Sequence, residues 1–284
     1  MLMSALSGKL DHYNDHPSKL IEARPFDVWL PPHYHDRSED RYPVIYMQDG
    51  QNLFDPGLSF ISVDWGIDQA MSELISEDAS QAAIVVGIWN TQNRFQEYLP
   101  VKPFHEGKKK GYPETLGGAV ACGLRADHYL KFIVDELKPY IDGRYQTLNG
   151  RCATFIMGSS MGALISLYAL CEYPGIFGGA ACLSTHWPVL GSAMTAYLER
   201  SLPSPGSCRL YFDHGTETLD SGYDSYQRQV DAVMTQSGYV KGRDWLTLKF
   251  PGADHSEKSW RRRVHIPIRF LLSGRLPVGI TAEP

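Results

Sequence analysis

The 284 residues include 43% hydrophobic and 21% charged side chains and carry a formal net charge of −5, the balance of a globular chain long enough to bury a large core. The longest basic runs, Lys108-Lys109-Lys110 and Arg261-Arg262-Arg263, are too short for a nucleic-acid footprint, and no stretch reaches the ~18 apolar residues of a membrane span. The five cysteines, Cys122, Cys152, Cys171, Cys182 and Cys208, are odd in number and never form C-x-x-C, which argues against both a zinc site and a disulfide framework.

The first twenty residues, MLMSALSGKLDHYNDHPSKL, have no basic n-region and no sustained apolar h-region, so a cytoplasmic location is expected. From there strands and helices alternate. PFDVWLP (25–31) alternates like a strand, and YPVIYMQDG (42–50) is an apolar run closed by a turn. Residues 64–76 follow helical spacing with Asp64 as N-cap, and AAIVVGIWN (82–90) is a buried-type strand. Residues 91–123 show no sustained period and are rich in Gly, Pro and Lys, which predicts a long loop at the sheet's carboxyl edge. An amphipathic helix is expected over 124–142, ending near Pro139 and Gly143.

The second half repeats the rhythm: strands at 152–157, 178–185, 208–215 and 244–250, with helices at 161–174, 191–200 and 223–236. A last helix over 256–272 is expected to kink, or to start late, at Pro267. This alternation predicts an α/β fold with a mostly parallel central sheet covered by helices on both faces. The first strand, followed at once by another strand, suggests an antiparallel edge. A single domain over 1–284 is expected, with its core at about 20–273.

Between an apolar strand and a helix stands Gly158-Ser159-Ser160-Met161-Gly162, a G-x-S-x-G pattern. A sharp strand-to-helix turn lifts the central hydroxyl above the sheet edge, needs glycines where side chains would collide, and aims a helix N-terminus at developing negative charge. A packing turn would use the glycines alike. The strand–turn–helix context favours Ser160 as a nucleophile over Ser159.

A serine hydroxyl needs a base and an acid to orient that base. In the order nucleophile, acid, base, the base falls after the last strand, where KFPGADHSEKSW places His255 just before a helix; His265 lies inside that helix. His186, before Trp187-Pro188, is close enough to the sheet edge to line the pocket. The acid falls in LYFDHGTETLDSGY (210–223). Asp213 lies within the strand, leaving Glu217 and Asp220, with Asp220 favoured as the shorter, stiffer side chain.

VIYMQDGQNLFD (44–55), GIWNTQNRFQEYLP (87–100), LKPYID (137–142), GSSMGALISLYAL (158–170), FDHGTETLD (212–220) and FPGADHSEKSW (250–260) together resemble an esterase family of α/β-hydrolases. Siderophore, feruloyl and acetylxylan esterases, esterase D and mycolyltransferases belong to it. The resemblance, over roughly residues 20 to 273, implies Ser160 and His255 as nucleophile and base. It implies an oxyanion hole from the N–H groups of Met161 and Gln51. The family's Arg-x-x-Glu segment matches Arg94 and Glu97, which would shape the site, with Asn52 and Trp65 at its entrance. GTETLD departs from the commoner Gly-Thr-x-Asp spacing, which keeps both acids open.

The function implied is a serine esterase acting on a small-molecule ester, with neither metal nor organic cofactor required. Acyl transfer through the same triad is the alternative within enzymes. A catalytically silent scaffold used for binding is the alternative outside them.

Overall fold

The computed structural model describes residues 8–36, 39–109 and 123–274. Eight strands form one sheet: β1 (Lys9–His16), β2 (Arg24–Leu30), β3 (Val44–Met47), β4 (Ile84–Ile88), β5 (Thr154–Ser159), β6 (Gly179–Leu183), β7 (Arg209–His214) and β8 (Trp245–Lys249), in the order β1-β2-β4-β3-β5-β6-β7-β8. Neighbours from β4 through β8 run parallel, while β2 is antiparallel to both β1 and β4. This is the mostly parallel α/β architecture that the alternation predicted, and it matches the α/β-hydrolase fold that the resemblance implied.

Side chains alternate between the two faces, as strand geometry requires. On β3, Val44 and Tyr46 join one core with helices Ala126–Lys131 and Met161–Glu172, while Ile45 and Met47 join the other with Ile67–Glu77 and His265–Ser273. Helix Met161–Glu172 is buried along all but its last residue, because it runs behind the central strands.

Four expectations need correction. The sheet begins before residue 20: β1 has only a weak apolar pattern and gains its order by pairing with β2. β2 is therefore an inner strand, and the antiparallel edge is β1. The 91–123 stretch contains helices Arg94–Tyr98 and Val101–Lys109, the first too short to show a period; residues 110–122, Cys122 among them, lie outside the described residues. Pro139 does not end its helix. A π-helical stretch, Phe132–Leu137, precedes it, and α-helix resumes over Lys138–Arg144. Wider turns accommodate the missing proline N–H and the ring's clash with the preceding turn. Pro267 acts as expected: the last helix breaks into Glu257–Arg261 and His265–Ser273, with the proline in the second piece's first turn.

Glu97 belongs to this framework. It is fully buried and takes two hydrogen bonds from Arg24 at the start of β2, Nη1 to Oε2 at 2.9 Å and Nη2 to Oε1 at 2.6 Å. The guanidinium also lies over the rings of Tyr129 (5.3 Å) and Phe132 (5.6 Å). Glu97 is thus engaged by Arg24 in the interior, and its carboxylate does not pair with Arg94. Glu97→Gln leaves an uncompensated buried guanidinium and is expected to cost about 3–5 kcal/mol of stability, measured by urea unfolding. A loss below about 1 kcal/mol would show that the pair is dispensable to the fold.

Candidate active site

Every element of the site leaves the sheet at its carboxyl edge, where open α/β sheets place their chemistry. Ser160 follows the central strand β5 and has φ 56° and ψ −120°, a strained backbone for a non-glycine residue. Its N–H donates to the Leu183 carbonyl at 2.9 Å, and its own carbonyl accepts from His186 N–H at 3.2 Å, so the end of β6 and the segment after it hold the elbow from both sides. A Cβ on Gly158 would lie 2.8 Å from the backbone of Gly162, and one on Gly162 would lie 3.0 Å from Gln48 Cβ. The flanking glycines are thus set by contact between strand, helix and the β3 loop.

That loop is the turn Asp49–Asn52, bent by Asp49 at φ 56° into the short 3₁₀ helix Gly50–Asn52. A Cβ on Gly50 would run into the Gly87 backbone of β4. The Asp49 carboxylate accepts from Arg94 Nε (2.7 Å) and Nη2 (2.8 Å) and from the Asn90 side chain (2.5 Å), while Gln51 Oε1 accepts Asn90 N–H at 3.2 Å. Arg94 thus braces the turn, pairing with Asp49 and not with Glu97. The amides of Gln51 and Met161 both sit in first helical turns, where N–H groups lack an intrahelical acceptor.

Asp220 and His255 come together on the loops after β7 and β8. His255 Nδ1 lies 2.6 Å from Asp220 Oδ1, and the carboxylate is 1% exposed. The loops are sewn to each other: Thr216 and Glu217 N–H donate to the Ala253 carbonyl, and His255 N–H donates to Thr218 Oγ1 at 2.9 Å. Gly215 is required because a Cβ there would strike that same Ala253 carbonyl. Glu217, the other acid candidate, is exposed and meets only Thr216 Oγ1, at 3.3 Å. Asp213 is buried elsewhere, paired with Arg263 Nη2 at 2.9 Å.

Asp220 Oδ2 also receives Gly215 N–H (2.6 Å) and the Ser184 hydroxyl (2.6 Å). Ser184 Oγ itself takes Trp260 Nε1–H at 3.0 Å and Arg263 Nη2–H at 2.9 Å, both groups that can only donate. Its single proton therefore has Asp220 as its destination. Burial pushes the Asp220 carboxyl up, but the bonds from His255, Ser184 and Gly215 outweigh it and hold the group below the ordinary carboxylate range. None of these supports is a motif. Ser184 and Tyr223 carried no sequence signal, because only the fold brings them to the acid and the histidines.

His186 is part-buried beside the elbow, with Nδ1 2.6 Å from Tyr223 Oη. Burial, then the proximity of His255 and Arg94, pushes it down to about 4, so it is neutral at pH 7. The unfolded imidazole binds a proton near 6.5 and the folded one does not, so stability falls as pH drops from about 6.5 towards 4. His186→Asn is expected to flatten that limb of a Tm-against-pH curve. An unchanged limb would assign the acid sensitivity to other groups.

The remaining residues expected to contact substrate all have partners within the fold. Trp187 is 2% exposed, donates Nε1–H to Gln227 Oε1 at 3.2 Å and packs on Phe212. Trp65 is equally buried, tilted against Trp260 at 5.4 Å. Asn52 is spent on bracing: its Oδ1 accepts Phe60 N–H and its carbonyl accepts Trp65 N–H. Large aromatic side chains favour buried positions, and a motif cannot reveal which way they turn. Among the described residues no group of three or more His, Cys, Asp or Glu side chains could hold a metal ion, and no helix is long and apolar enough to cross a membrane.

The family model described as "Putative esterase" matches residues 18–265. The uncharacterized protein YbbA of Bacillus subtilis (strain 168) is 25% identical over 241 residues, covering 83% of this chain and 87% of that protein. A solved ferulic acid esterase superposes with TM-score 0.66 at 16% identity, covering 93% of this chain and 98% of that one. An IroE-like serine hydrolase from Shewanella oneidensis gives 0.63 at 23% identity, covering 93% and 79%. The enterobactin esterase FES from Shigella flexneri gives 0.67 at 16% identity, covering 94% of this chain and 60% of that longer one. At these identities the superpositions establish the fold, while the family match spans both sheet halves and the elbow. The chain belongs to this esterase family of α/β-hydrolases and is a carboxylic-ester hydrolase.

Proposed function

We propose that the protein hydrolyses a small-molecule ester through an acyl-enzyme on Ser160, with His255 as base, Asp220 as its orienting acid and the amides of Met161 and Gln51 as the oxyanion hole. The observation that carries this reading is the 2.6 Å contact between buried Asp220 and His255 Nδ1, on the two loops that follow β7 and β8. With Nδ1 facing the carboxylate, Nε2 is left to accept the Ser160 proton.

Ser160 Oγ forms a bond to the ester carbon as its proton passes to His255, and the carbonyl electron pair moves onto oxygen. The two amides stabilise that oxygen, each donor contributing about 3–4 kcal/mol to the transition state. Collapse expels the alcohol, which takes the proton from His255 and leaves the acyl group on Ser160. Water, deprotonated by His255, then repeats the sequence and releases the acid. Asp220, held ionised by Ser184 and Gly215, stabilises the imidazolium formed at both stages. Neutral His186 beside the elbow adds no competing positive charge to that imidazolium.

Stoichiometric labelling by a fluorophosphonate, mapped by peptide mass spectrometry to Ser160 and abolishing ester turnover in parallel, is the expected result. Full turnover in protein that fails to label, or a label on another side chain, would remove Ser160 from the reaction.

A further inference from the structure

We propose that two loops beside the centre form an apolar lip that receives an extended alkyl or aryl part of the ester's acyl group, with Phe60 as its main contact. The inference rests on the reading of Ser160 as the nucleophile. The first loop, residues 53–65, leaves the turn that carries Gln51. Both of its ends are fixed at the centre. Asn52 takes the N–H groups of Phe60 (3.0 Å) and Trp65 (2.8 Å), and the Trp65 ring lies against Trp260, which stands edge-on to His255 with centroids 5.1 Å apart. Arg261 closes the far end by donating from Nη1 to the Asp64 carbonyl at 3.0 Å and to its carboxylate. Inside the loop Ser59 Oγ donates to the Val63 carbonyl at 2.6 Å, and Ser62 turns the chain at φ 56°.

At the tip of this braced loop, Phe60 is 86% exposed, Leu58 53% and Ile61 40%. On the loop that follows β7, Leu219 is 56% exposed, between Asp220 and the Thr218 whose hydroxyl accepts His255 N–H. Other large apolar residues exposed among those described, Leu10, Leu148 and Val240, are scattered singly, which is ordinary for a soluble surface. Four such residues confined to the two loops that carry an oxyanion amide and the acid are not ordinary. The Phe60 backbone is hydrogen-bonded in place, and its exposed ring stands free to meet a ligand. The loop from 53 to 63 has Asp55 as its one charged residue, which suits neither a phosphate nor a polyanion. What fits is hydrocarbon, alkyl or aryl, extending outward from the carbonyl carbon held at Ser160.

The test compares kcat/KM for p-nitrophenyl octanoate and acetate in the wild type, Phe60→Ser and the distant control Leu148→Ser. The octanoate-to-acetate ratio is expected to fall about tenfold in Phe60→Ser and to stay within about twofold of wild type in Leu148→Ser. A ratio unmoved by Phe60→Ser, or moved equally by Leu148→Ser, would overturn the lip. Self-association seen by light scattering and lost in Phe60→Ser, with the ratio unmoved, would overturn it in favour of a second copy of the chain. Acetate turnover that survives Ser160→Ala would instead overturn the nucleophile, and the lip with it, so the two failures read out separately.

Discussion

Ser160→Ala is expected to lower kcat for p-nitrophenyl butyrate by about 10⁴-fold or more while leaving Tm within a few degrees of wild type. Serine nucleophiles act as one unit with their base, so removing the hydroxyl forfeits nearly everything the triad supplies and leaves the contribution of the oxyanion amides and binding. The fold should tolerate the change. What holds the elbow is backbone: the Ser160 N–H on Leu183 and the glycine contacts on either side. Alanine inherits the φ of 56° at a strain like that of serine. Steady-state kinetics and a thermal melt on the same preparation check both halves. Retention of more than about a tenth of the activity in a folded variant would exclude an acyl-enzyme at this position.

Asp220→Asn is expected to lower kcat by about 10³–10⁴-fold, with Glu217→Gln within about twofold of wild type. The hydrogen-bond inventory gives the reason. The Oδ2 side receives a backbone N–H from Gly215 and the Ser184 proton, whose other options are closed by Trp260 and Arg263. An asparagine must therefore turn its carbonyl oxygen to that side and its NH₂ towards His255 Nδ1. The imidazole then accepts at Nδ1 and carries its proton on Nε2, the tautomer that cannot take the Ser160 proton. Equal losses in the two variants, or a larger one in Glu217→Gln, would refute the assignment of the acid. The pair also isolates chemistry from folding, since asparagine keeps the size of the buried group.

The Ser160 turn and the position of His255 were legible because each is tied to a local pattern. G-x-S-x-G between an apolar strand and an apolar helix is a constraint on one short segment, and a histidine between the last strand and the last helix follows from chain order. The acid was narrowed to two, since GTETLD offers carboxylates at Glu217 and Asp220 and nothing local says which faces the neighbouring loop. In the structure the Ala253 carbonyl takes Thr216 and Glu217 N–H, and Asp220 is the carboxylate that meets His255 Nδ1. Arg94 and Glu97, one helical turn apart, diverge for a similar reason. Arg94 meets Asp49 at the sheet edge, whereas Glu97 meets Arg24, a residue 73 positions away in sequence.

The same division runs through the whole chain. Alternating strand and helix periods, apolar runs on the central strands and the glycines of the elbow are short-range properties, so the sequence by itself determined the α/β architecture, the place of Ser160 and the place of His255. Strand β1, the π-helical stretch before Pro139, the inward turn of Trp65 and Trp187, and the Ser184–Asp220–His255 chain depended on partners tens to hundreds of residues away. Burial and hydrogen-bond satisfaction act across that distance, and only the tertiary structure brings the partners together.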